Sequence, residues 1–216
     1  MQRRWVIVAI TSMTLIGAGI LVQTERTNRQ IARDATAFRI RAEQGDAESQ
    51  FKLGVMYSKG KGVPKDFVEA ARWYRKSAEQ GDGKAEYNLC HMYLDGRGVP
   101  QDYTEAERWC RKAAEQGNIR GQVGLGNLYF RGEGVPQDYT EAVRWYRKSA
   151  DQGYADAQYD LGYMYYYGYG VPRDRDHAYD LFQQAAEHGN EDAKRAIECS
   201  RKGISIDPGA GLRGLQ

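Results

Sequence analysis

The sequence is poor in the residues that build metal centres and disulfide frameworks. It has three cysteines in 216 residues and no C-x-x-C pair, whereas zinc sites and disulfide-rich scaffolds need paired or closely spaced cysteines. The formal net charge is only +2, and the 31 basic and 29 acidic residues are interspersed along the chain. Proteins that bind nucleic acid usually carry a basic patch or stripe. We therefore predict neither a metal site nor a nucleic-acid partner.

The sequence also lacks a catalytic set and a cofactor motif. Gly60 and Gly62 form a G-x-G pair, but no strand pattern precedes it and the glycine spacing of a dinucleotide-binding loop does not follow. Cys90 and His91 are adjacent, and neighbours on a helix diverge by about 100°, so the thiol and the imidazole do not converge as a nucleophile and a base. We predict a protein that is not an enzyme and that uses no cofactor.

What the chain has instead is one pattern that occurs four times over residues 46–190. A leucine, a tyrosine and a glycine each recur at a spacing of 36 residues. These residues are Leu53, Leu89, Leu125 and Leu161; Tyr57, Tyr93, Tyr129 and Tyr165; and Gly81, Gly117, Gly153 and Gly189. A period of roughly 20–50 residues is typical of solenoids, in which each unit buries its apolar face on a neighbour. The period therefore predicts one elongated domain.

Each unit has the pattern of two antiparallel helices. In the first unit an aspartate precedes each helix, at Asp46 and Asp66, where its carboxylate can accept hydrogen bonds from free backbone N–H groups. A glycine follows each helix, at Gly60 and Gly81, where the left-handed conformation that ends a helix is accessible. The aspartates and the glutamates three residues later recur in later units, so we interpret Asp-x-x-Glu as a helix cap and not as a pair of catalytic acids.

Three motifs recur in register over residues 46–190: L-G-x-x-Y, then G-x-G-V-P-x-D, then E-A-x-R-W-Y-R-K-S-A-x-Q-G. Together they resemble the Sel1-like repeat, a relative of the tetratricopeptide repeat. The resemblance implies an all-α fold, a right-handed α/α superhelix (solenoid) of four 36-residue helical hairpins. It also implies a protein–protein interaction scaffold or adaptor, of a kind common in bacterial envelopes and in signalling or quality-control complexes.

The segments on either side of the four units have the pattern of caps, which repeat arrays need for solubility. Residues 25–45 end like the second half of a unit and predict an N-terminal capping helix, a partial repeat. Residues 191–202 place Arg195 and Glu198 where a further unit would stack, which predicts a C-terminal capping helix. Residues 203–216 lack periodicity and are expected to form a flexible tail.

One long apolar run, Trp5 to Val22, follows Arg3 and Arg4. As a helix of 18 residues it would span about 27 Å, close to the bilayer core of about 30 Å. Signal-peptide cores are usually shorter. Residues 1–24 therefore predict a transmembrane helix, either a membrane anchor or an uncleaved signal segment; a cleaved signal peptide and a buried helix are the alternatives.

Arginines flank the apolar run on both sides, and so the positive-inside rule does not decide its orientation. Arg26, Arg29 and Arg33 follow it. A signal-like segment with a very short tail usually leaves its N-terminus in the cytoplasm. We therefore expect a single-pass protein of the bacterial inner membrane with the repeats in the periplasm. Secretion after cleavage and a repeat domain that faces the cytoplasm are the alternatives.

Equivalent first-helix positions vary from unit to unit while core positions barely change. We predict that these variable positions line the groove of the solenoid and bind a protein or a peptide. The predicted groove residues are Glu48, Val55, Lys84, His91, Arg120, Asn127, Phe130, Asp156, Tyr163, Tyr166 and Tyr167. The position at the edge of the groove holds Ser58, Leu94, Phe130 and Tyr166 in turn. Ordinary drift of exposed residues is the alternative explanation of this variation.

The fourth unit is rich in tyrosine, and Tyr163, Tyr166 and Tyr167 have no evident core role. Tyrosine is favoured at interfaces, so a partner-binding patch, packing against the cap and glycan stacking are all open. We predict a membrane-tethered interaction scaffold. The alternatives are a module that binds cell wall or glycan and a cell-wall or β-lactam hydrolase, for which we find no convergent Ser/Lys/Glu or Cys/His set.

Cys90 and Cys110 lie on the two helices of the second unit, at positions that hold a glycine and a tyrosine in the first unit. In an exported protein they could form a disulfide, but we favour the interpretation as two small buried thiols. Cys199 has no evident partner.

Overall fold

The computed structural model describes residues 30, 33–204 and 206, and these residues form a stack of helices without a strand. Helix α1 is helical over 33–43. Four helical pairs and a closing helix follow it. They are α2 (Ala47–Lys59), α3 (Phe67–Glu79), α4 (Gly83–Asp95), α5 (Tyr103–Glu115), α6 (Ile119–Arg131), α7 (Tyr139–Ala150), α8 (Ala155–Tyr167), α9 (Arg175–Glu187) and α10 (Glu191–Arg201). The predicted all-helical solenoid is therefore correct.

Most of these helices begin at a polar N-cap residue. Asp66, Asp102 and Asp138 each accept hydrogen bonds from two backbone N–H groups in the first turn of a second helix. Tyr154 is the exception among the described caps, because it makes no side-chain bond to the start of α8. Each first helix ends at a left-handed glycine with φ between 65° and 78°. The first of these helices ends at Lys59, directly before the predicted terminating glycine, Gly60.

Within a unit, hydrogen bonds join the start of the first helix to the end of the second. The Ser77 hydroxyl donates to the Ala47 carbonyl at 2.8 Å, and the Gln80 amide donates to Gln50 at 2.7 Å. The same glutamine pair recurs as Gln152 to Gln122 at 2.8 Å. These bonds satisfy polar groups that the pairing of the two helices buries.

At the centre of a unit, an aromatic ring of the second helix packs on a glycine of the first. A Cβ added to Gly54 would lie 2.6 Å from the Tyr74 ring, and one added to Gly126 would lie 2.6 Å from the Tyr146 ring. Because real carbon contacts are longer than this, a larger residue at either glycine would push the two helices apart. The glycines therefore set the distance between the helices of a pair.

In the second unit a disulfide replaces this glycine–aromatic pair. Cys90 and Cys110 are bonded, with their Cα atoms 5.3 Å apart, and both residues are fully buried. Disulfides span Cα separations of about 4.4–6.8 Å, so the spacing that elsewhere accommodates glycine and a ring suits a disulfide here. Cys199 is the free cysteine of the described chain.

Between units, the second helix of one unit packs on the first helix of the next. An arginine of the second helix donates to the tyrosine hydroxyl 18 residues later, as Arg111 does to Tyr129 and Arg147 to Tyr165, both at 2.7 Å. Arg39 of α1 makes the same bond to Tyr57. Helix α1 therefore takes the place that a second helix takes in the later units.

The loop of each later unit also rests on the preceding unit. A Cβ added to Gly98 would lie 2.1 Å from the carbonyl oxygen of Phe67, at the start of α3. Gly98 also has φ +71°, so both the backbone conformation and the close approach require glycine. Gly134 makes the equivalent approach to Tyr103 at 2.2 Å.

The structure describes the two ends of the chain to different extents. The apolar run from Trp5 to Val22 lies outside the described residues, and none of the described helices is both long enough and apolar enough to cross a membrane. At the other end, Ile206 falls within the predicted tail but is only 2% exposed. Its carbonyl accepts a hydrogen bond from the Tyr167 hydroxyl at 2.6 Å.

The disulfide gives a stability prediction. Cys110→Ala should lower the free energy of unfolding by about 3 kcal/mol, because the bridge closes a loop whose ends lie 20 residues apart. The double variant Cys90→Gly with Cys110→Tyr restores the pair used in the first and third units and should recover part of that loss. Urea unfolding measures both values.

Thiol titration of the denatured, unreduced protein is the control for this prediction. One free thiol, from Cys199, is expected; three free thiols would contradict the disulfide.

Candidate functional site

The predicted groove runs over the first helices, and its shape is decided where two consecutive units meet. We call these places junction 1/2, junction 2/3 and junction 3/4. Helices α4 and α6, the first helices of the second and third units, also touch directly. Each junction uses the same eight registers, 36 residues apart. At junction 1/2 they hold Ser58, Phe67, Tyr74, Asn88, His91, Met92, Asp95 and Arg97.

Aromatic rings fill junction 3/4. The Phe130 ring lies 5.4 Å from the Tyr139 ring and 6.5 Å from the Tyr163 ring, in an edge-on arrangement with the latter. Tyr169 stacks on Tyr139 at 5.0 Å and on Tyr167 at 5.8 Å. Such contacts stabilise by about 0.5–1.5 kcal/mol per pair beyond the area they bury. The cluster therefore closes this end of the groove.

The structure places two predicted groove tyrosines inside this packing and not on an open surface. Tyr163 and Tyr166 are each 7% exposed. Tyr163 lies 4.7 Å from Tyr167, and Tyr166 lies 4.9 Å from it, measured between ring centroids. Since Ile206 also packs in this cluster, contacts within the chain account for the tyrosines of the fourth unit. They leave little surface for a partner.

A leucine and polar side chains, and not a cluster of aromatic rings, occupy junction 2/3. Leu94, in the register of Phe130, is 5% exposed. Arg131 and Glu133 form an ion pair at 3.7 Å, and the Asn127 side chain accepts a hydrogen bond from the Tyr146 hydroxyl at 2.7 Å. A leucine and polar pairs thus occupy the place that the aromatic rings occupy one unit later.

Junction 1/2 remains open as a pocket of about 140 Å³. Its apolar lining comes from Phe67, Tyr74 and Met92, and its polar lining includes Asn88 and His91. The residue in the register of Phe130 is here Ser58, whose hydroxyl lies 3.2 Å from the Tyr74 hydroxyl. Because serine is much smaller than phenylalanine or leucine, this junction is not filled from within.

The charges around this pocket are balanced. Asp95 and Arg97 form an ion pair at 3.2 Å. Burial lowers the pKa of the His91 imidazole, with Asp95 opposing that shift and Arg97 adding to it. The His91 ring packs edge-on against Tyr87, with centroids 4.6 Å apart. At neutral pH the imidazole is therefore uncharged and can both donate and accept a hydrogen bond.

The remaining predicted groove residues surround these junctions. Val55, His91, Asn127, Phe130 and Tyr167 are half-buried, whereas the other four are exposed: Glu48, Lys84, Arg120 and Asp156. Three of the exposed residues already have partners, since Glu48 pairs with Lys52 at 2.7 Å, Asp156 accepts from Asn190 at 2.7 Å and Arg120 interacts with the Tyr154 side chain. The predicted set missed Asn88, Asp95 and Arg97. A comparison of residues 36 positions apart would have shown that aromatic rings replace Asp95 and Arg97 at junction 3/4.

A second set of depressions lies on the second-helix face, which we define by Arg72, Arg108 and Arg144. Clefts of about 420 and 480 Å³ occupy the same registers in the first and third units. Lys76 and Lys148 lie over the rings of Trp73 and Trp145 beside them, at 4.7 and 4.2 Å. The clefts recur with nearly the same residues, so they follow from stacking and do not distinguish one unit from another.

One buried carboxylate at junction 3/4 has no hydrogen-bond partner among the residues that the structure describes. Asp160 is 0% exposed, and neither carboxylate oxygen is bonded. Burial raises the pKa of its carboxyl well above the usual range, Asp156 adds to the rise and Arg131 opposes it. Its register holds Gly124 in the third unit and Asn88 in the second. Burial therefore favours the neutral, protonated form of Asp160 in the folded protein.

In the part of the chain that the structure describes, no three His, Cys, Asp or Glu side chains come together as a metal site would require. His91 and Cys90 do not form a nucleophile–base pair either, because the Cys90 sulfur is in the disulfide.

A family model described as Sel1 repeat matches the chain in four consecutive segments, residues 47–82, 83–118, 119–154 and 155–190. These segments coincide with the four helical pairs. Proteins built from this repeat are generally protein-interaction scaffolds, and most are not catalytic.

Solved structures give the same picture. The chain is 38% identical to a protective antigen of uropathogenic Escherichia coli strains that displays an SLR fold, with a TM-score of 0.75. That match covers 82% of this chain but only 38% of the antigen. The chain is 36% identical to a Sel1 repeat protein from Oxalobacter formigenes, over 83% of this chain and 73% of that one, with a TM-score of 0.74. No curated protein matches the chain.

Asp160 gives a pH prediction. The folded protein binds its proton more tightly than the unfolded chain does, so this residue makes stability fall as pH rises above its unfolded pKa of about 3.9, until its raised folded pKa is passed. In the Asp160→Asn variant the side chain is an amide, which stays neutral over this pH range. The variant should therefore gain stability relative to the parent as pH rises from 4 towards neutrality, measured by urea unfolding. Parallel pH profiles of the two proteins would contradict the assignment.

Proposed function

We propose, because the chain belongs to the Sel1 repeat family, that it is a non-catalytic interaction scaffold that binds a protein or a peptide along its first-helix groove. The observation that carries this proposal is the contrast between the face that stacks and the face that varies. Leu53, Leu89 and Leu125 are all 0% exposed and identical, while the groove position changes from Val55 to His91 to Asn127. Stacking does not require that variation.

The groove also has more room at one end than at the other. Aromatic rings close junction 3/4, whereas junction 1/2 keeps a pocket with an apolar floor and polar walls. Binding sites for small groups and side chains are typically concave, mostly apolar and furnished with a few polar groups. We therefore place the main contact surface over the first two units and the start of the third, from Glu48 to Arg120. The buried Tyr163 and Tyr166 lend no support to a glycan-stacking platform.

We further propose that residues 1–24 tether the protein to the bacterial inner membrane and that the repeats lie in the periplasm. The apolar run from Trp5 to Val22 supports the tether. The Cys90–Cys110 disulfide supports the compartment, because disulfides persist in the bacterial periplasm and are rare in the cytosol. Secretion after cleavage would also place the disulfide in an oxidising compartment. It differs from the proposed tether in leaving no anchor on the mature protein.

Charge reversal in the groove tests the proposed function. The tagged full-length protein is crosslinked in its native cells, and captured proteins are identified and quantified. Lys84→Glu with Arg120→Glu, both exposed groove residues, should change recovery of the partner by about tenfold, since close charge pairs at an interface contribute 1 kcal/mol or more.

The matched control is Arg72→Glu with Arg108→Glu on the second-helix face, which makes the same change in charge. With this control, recovery of the partner should stay within about twofold of that with the parent protein, a change in binding free energy of under 0.5 kcal/mol. Equal effects of the two double variants, or an effect of the control alone, would exclude the groove as the binding surface.

A further inference from the structure

We propose that the pocket at junction 1/2 receives the side chain of a tyrosine from the partner. This inference rests on the proposed function, because it assigns a chemistry to the protein or peptide in the groove. The pocket lies between α2, α3 and α4 and is lined by Ser58, Phe67, Tyr74, Asn88, His91 and others at the same junction.

The size of the pocket fits one aromatic ring. Its volume is about 140 Å³, and a protein cavity of about 150 Å³ holds a benzene molecule. Phe67, Tyr74 and Met92 supply apolar atoms for the faces and edge of a ring. Tyr74 and Met92 are buried, at 3% and 6% exposure, so the floor is held in place by the core.

The protein itself shows how this place is filled elsewhere. In the register of Ser58, junction 2/3 has Leu94 and junction 3/4 has Phe130. The Phe130 ring packs on Tyr139 at 5.4 Å, and Tyr139 is the register equivalent of Phe67. Junction 1/2 thus keeps the aromatic wall but has only a hydroxymethyl group where the ring would come. A ring supplied by a partner would complete the contact that Phe130 makes from within.

The polar walls favour a ring with a hydroxyl group. The His91 imidazole is uncharged at neutral pH and offers a donor or an acceptor, and the Asn88 amide lies beside it in the wall. The Asn88 Nδ2 group donates to the Lys84 carbonyl at 2.8 Å. This bond fixes the orientation of the Asn88 amide and therefore the direction of its side-chain oxygen. A plain phenyl ring would desolvate these groups without pairing them, and sites built to bond a hydroxyl discriminate against ligands that lack it.

Other occupants fit the pocket less well. An anion would meet Arg97, but Arg97 is paired with Asp95 at 3.2 Å. A zinc ion would find only His91 and Asp95 as imidazole or carboxylate ligands among the residues that line the pocket, and structural zinc sites need about four ligands. An aliphatic side chain would form no hydrogen bond with the polar side chains of the wall. Tyrosine is also among the residues that dominate protein interfaces.

Binding of a small tyrosine probe tests this inference on the full-length protein in a non-ionic detergent. N-acetyl-tyrosinamide is titrated while amide chemical shifts are followed by NMR. Saturable shifts are expected at Ser58, Asn88, His91 and Arg97, together with nuclear Overhauser contacts from the probe ring to the Met92 methyl group. N-acetyl-phenylalaninamide should bind several-fold more weakly, and N-acetyl-leucinamide should produce no saturable shifts at these residues.

Three variants separate the pocket from the fold around it. Ser58→Phe supplies the ring from within, as Phe130 does, and should weaken the tyrosine probe by about tenfold or more, or about 1.4 kcal/mol. Ser58→Ala removes only the hydroxyl and should leave affinity within about threefold. Leu94→Phe makes the matching change at junction 2/3 and should leave affinity within about twofold.

The outcomes are decisive in either direction. Shifts that cluster at the pocket and vanish in Ser58→Phe support the inference. Shifts that persist in Ser58→Phe, equal binding of the leucine probe, or an absence of contacts to Met92 in the parent protein would overturn it. The last measurement needs no substitution and holds even if Ser58→Phe fails to fold. If the probe does not bind while partner capture still responds to Lys84 and Arg120, this inference fails and the proposed function stands.

Discussion

The packing of each second helix on the first helix of the next unit is the contact on which the rest of the structure depends. A single hairpin has too little core to bury its own apolar stripe, and stability in such arrays comes from nearest-neighbour interfaces. Trp73, Trp109 and Trp145 are each at most 3% exposed, and Leu53, Leu89 and Leu125 are fully buried. Burying each such side chain contributes about 1.5–3 kcal/mol. The loop glycines that rest on the preceding backbone add a geometric limit, because only a residue without a side chain allows that distance.

This fixed stacking explains how one repeat produces different surfaces. Since the distance between units is set by core residues, the space at each junction depends only on the side chains placed there. The edge position holds serine, leucine and phenylalanine at successive junctions, and the space passes from an open pocket with an apolar floor and polar walls to a closed aromatic cluster. The repeat thus varies the surface of its first helices without changing its fold. The second-helix face, where nearly the same cations and tryptophans recur, shows much less of this variation.

Much of the fold could be predicted from the sequence because the period fixes the register. Asp66 and Gly60, for example, have one structural role that recurs in every unit, and the helix ends were predicted to within a residue or two. The candidate site was harder to predict. The burial of Tyr163 and Tyr166 depends on Phe130, Tyr139 and Ile206, which come from three separate segments. Helical periodicity gives the direction of each side chain on its own helix, but not what a neighbouring unit places against it. The pocket at junction 1/2 was missed for the same reason.

We propose that a partner lies along the first-helix face. Photo-crosslinking tests this placement: a photo-crosslinking amino acid is introduced at one position at a time into the full-length protein in its native cells. Crosslinks to one partner are expected from Val55, His91 and Asn127, which occupy one register of the first helices, and none from Arg72, Arg108 and Arg144 on the second-helix face. Crosslinks from the second-helix positions, or from both faces equally, would contradict it.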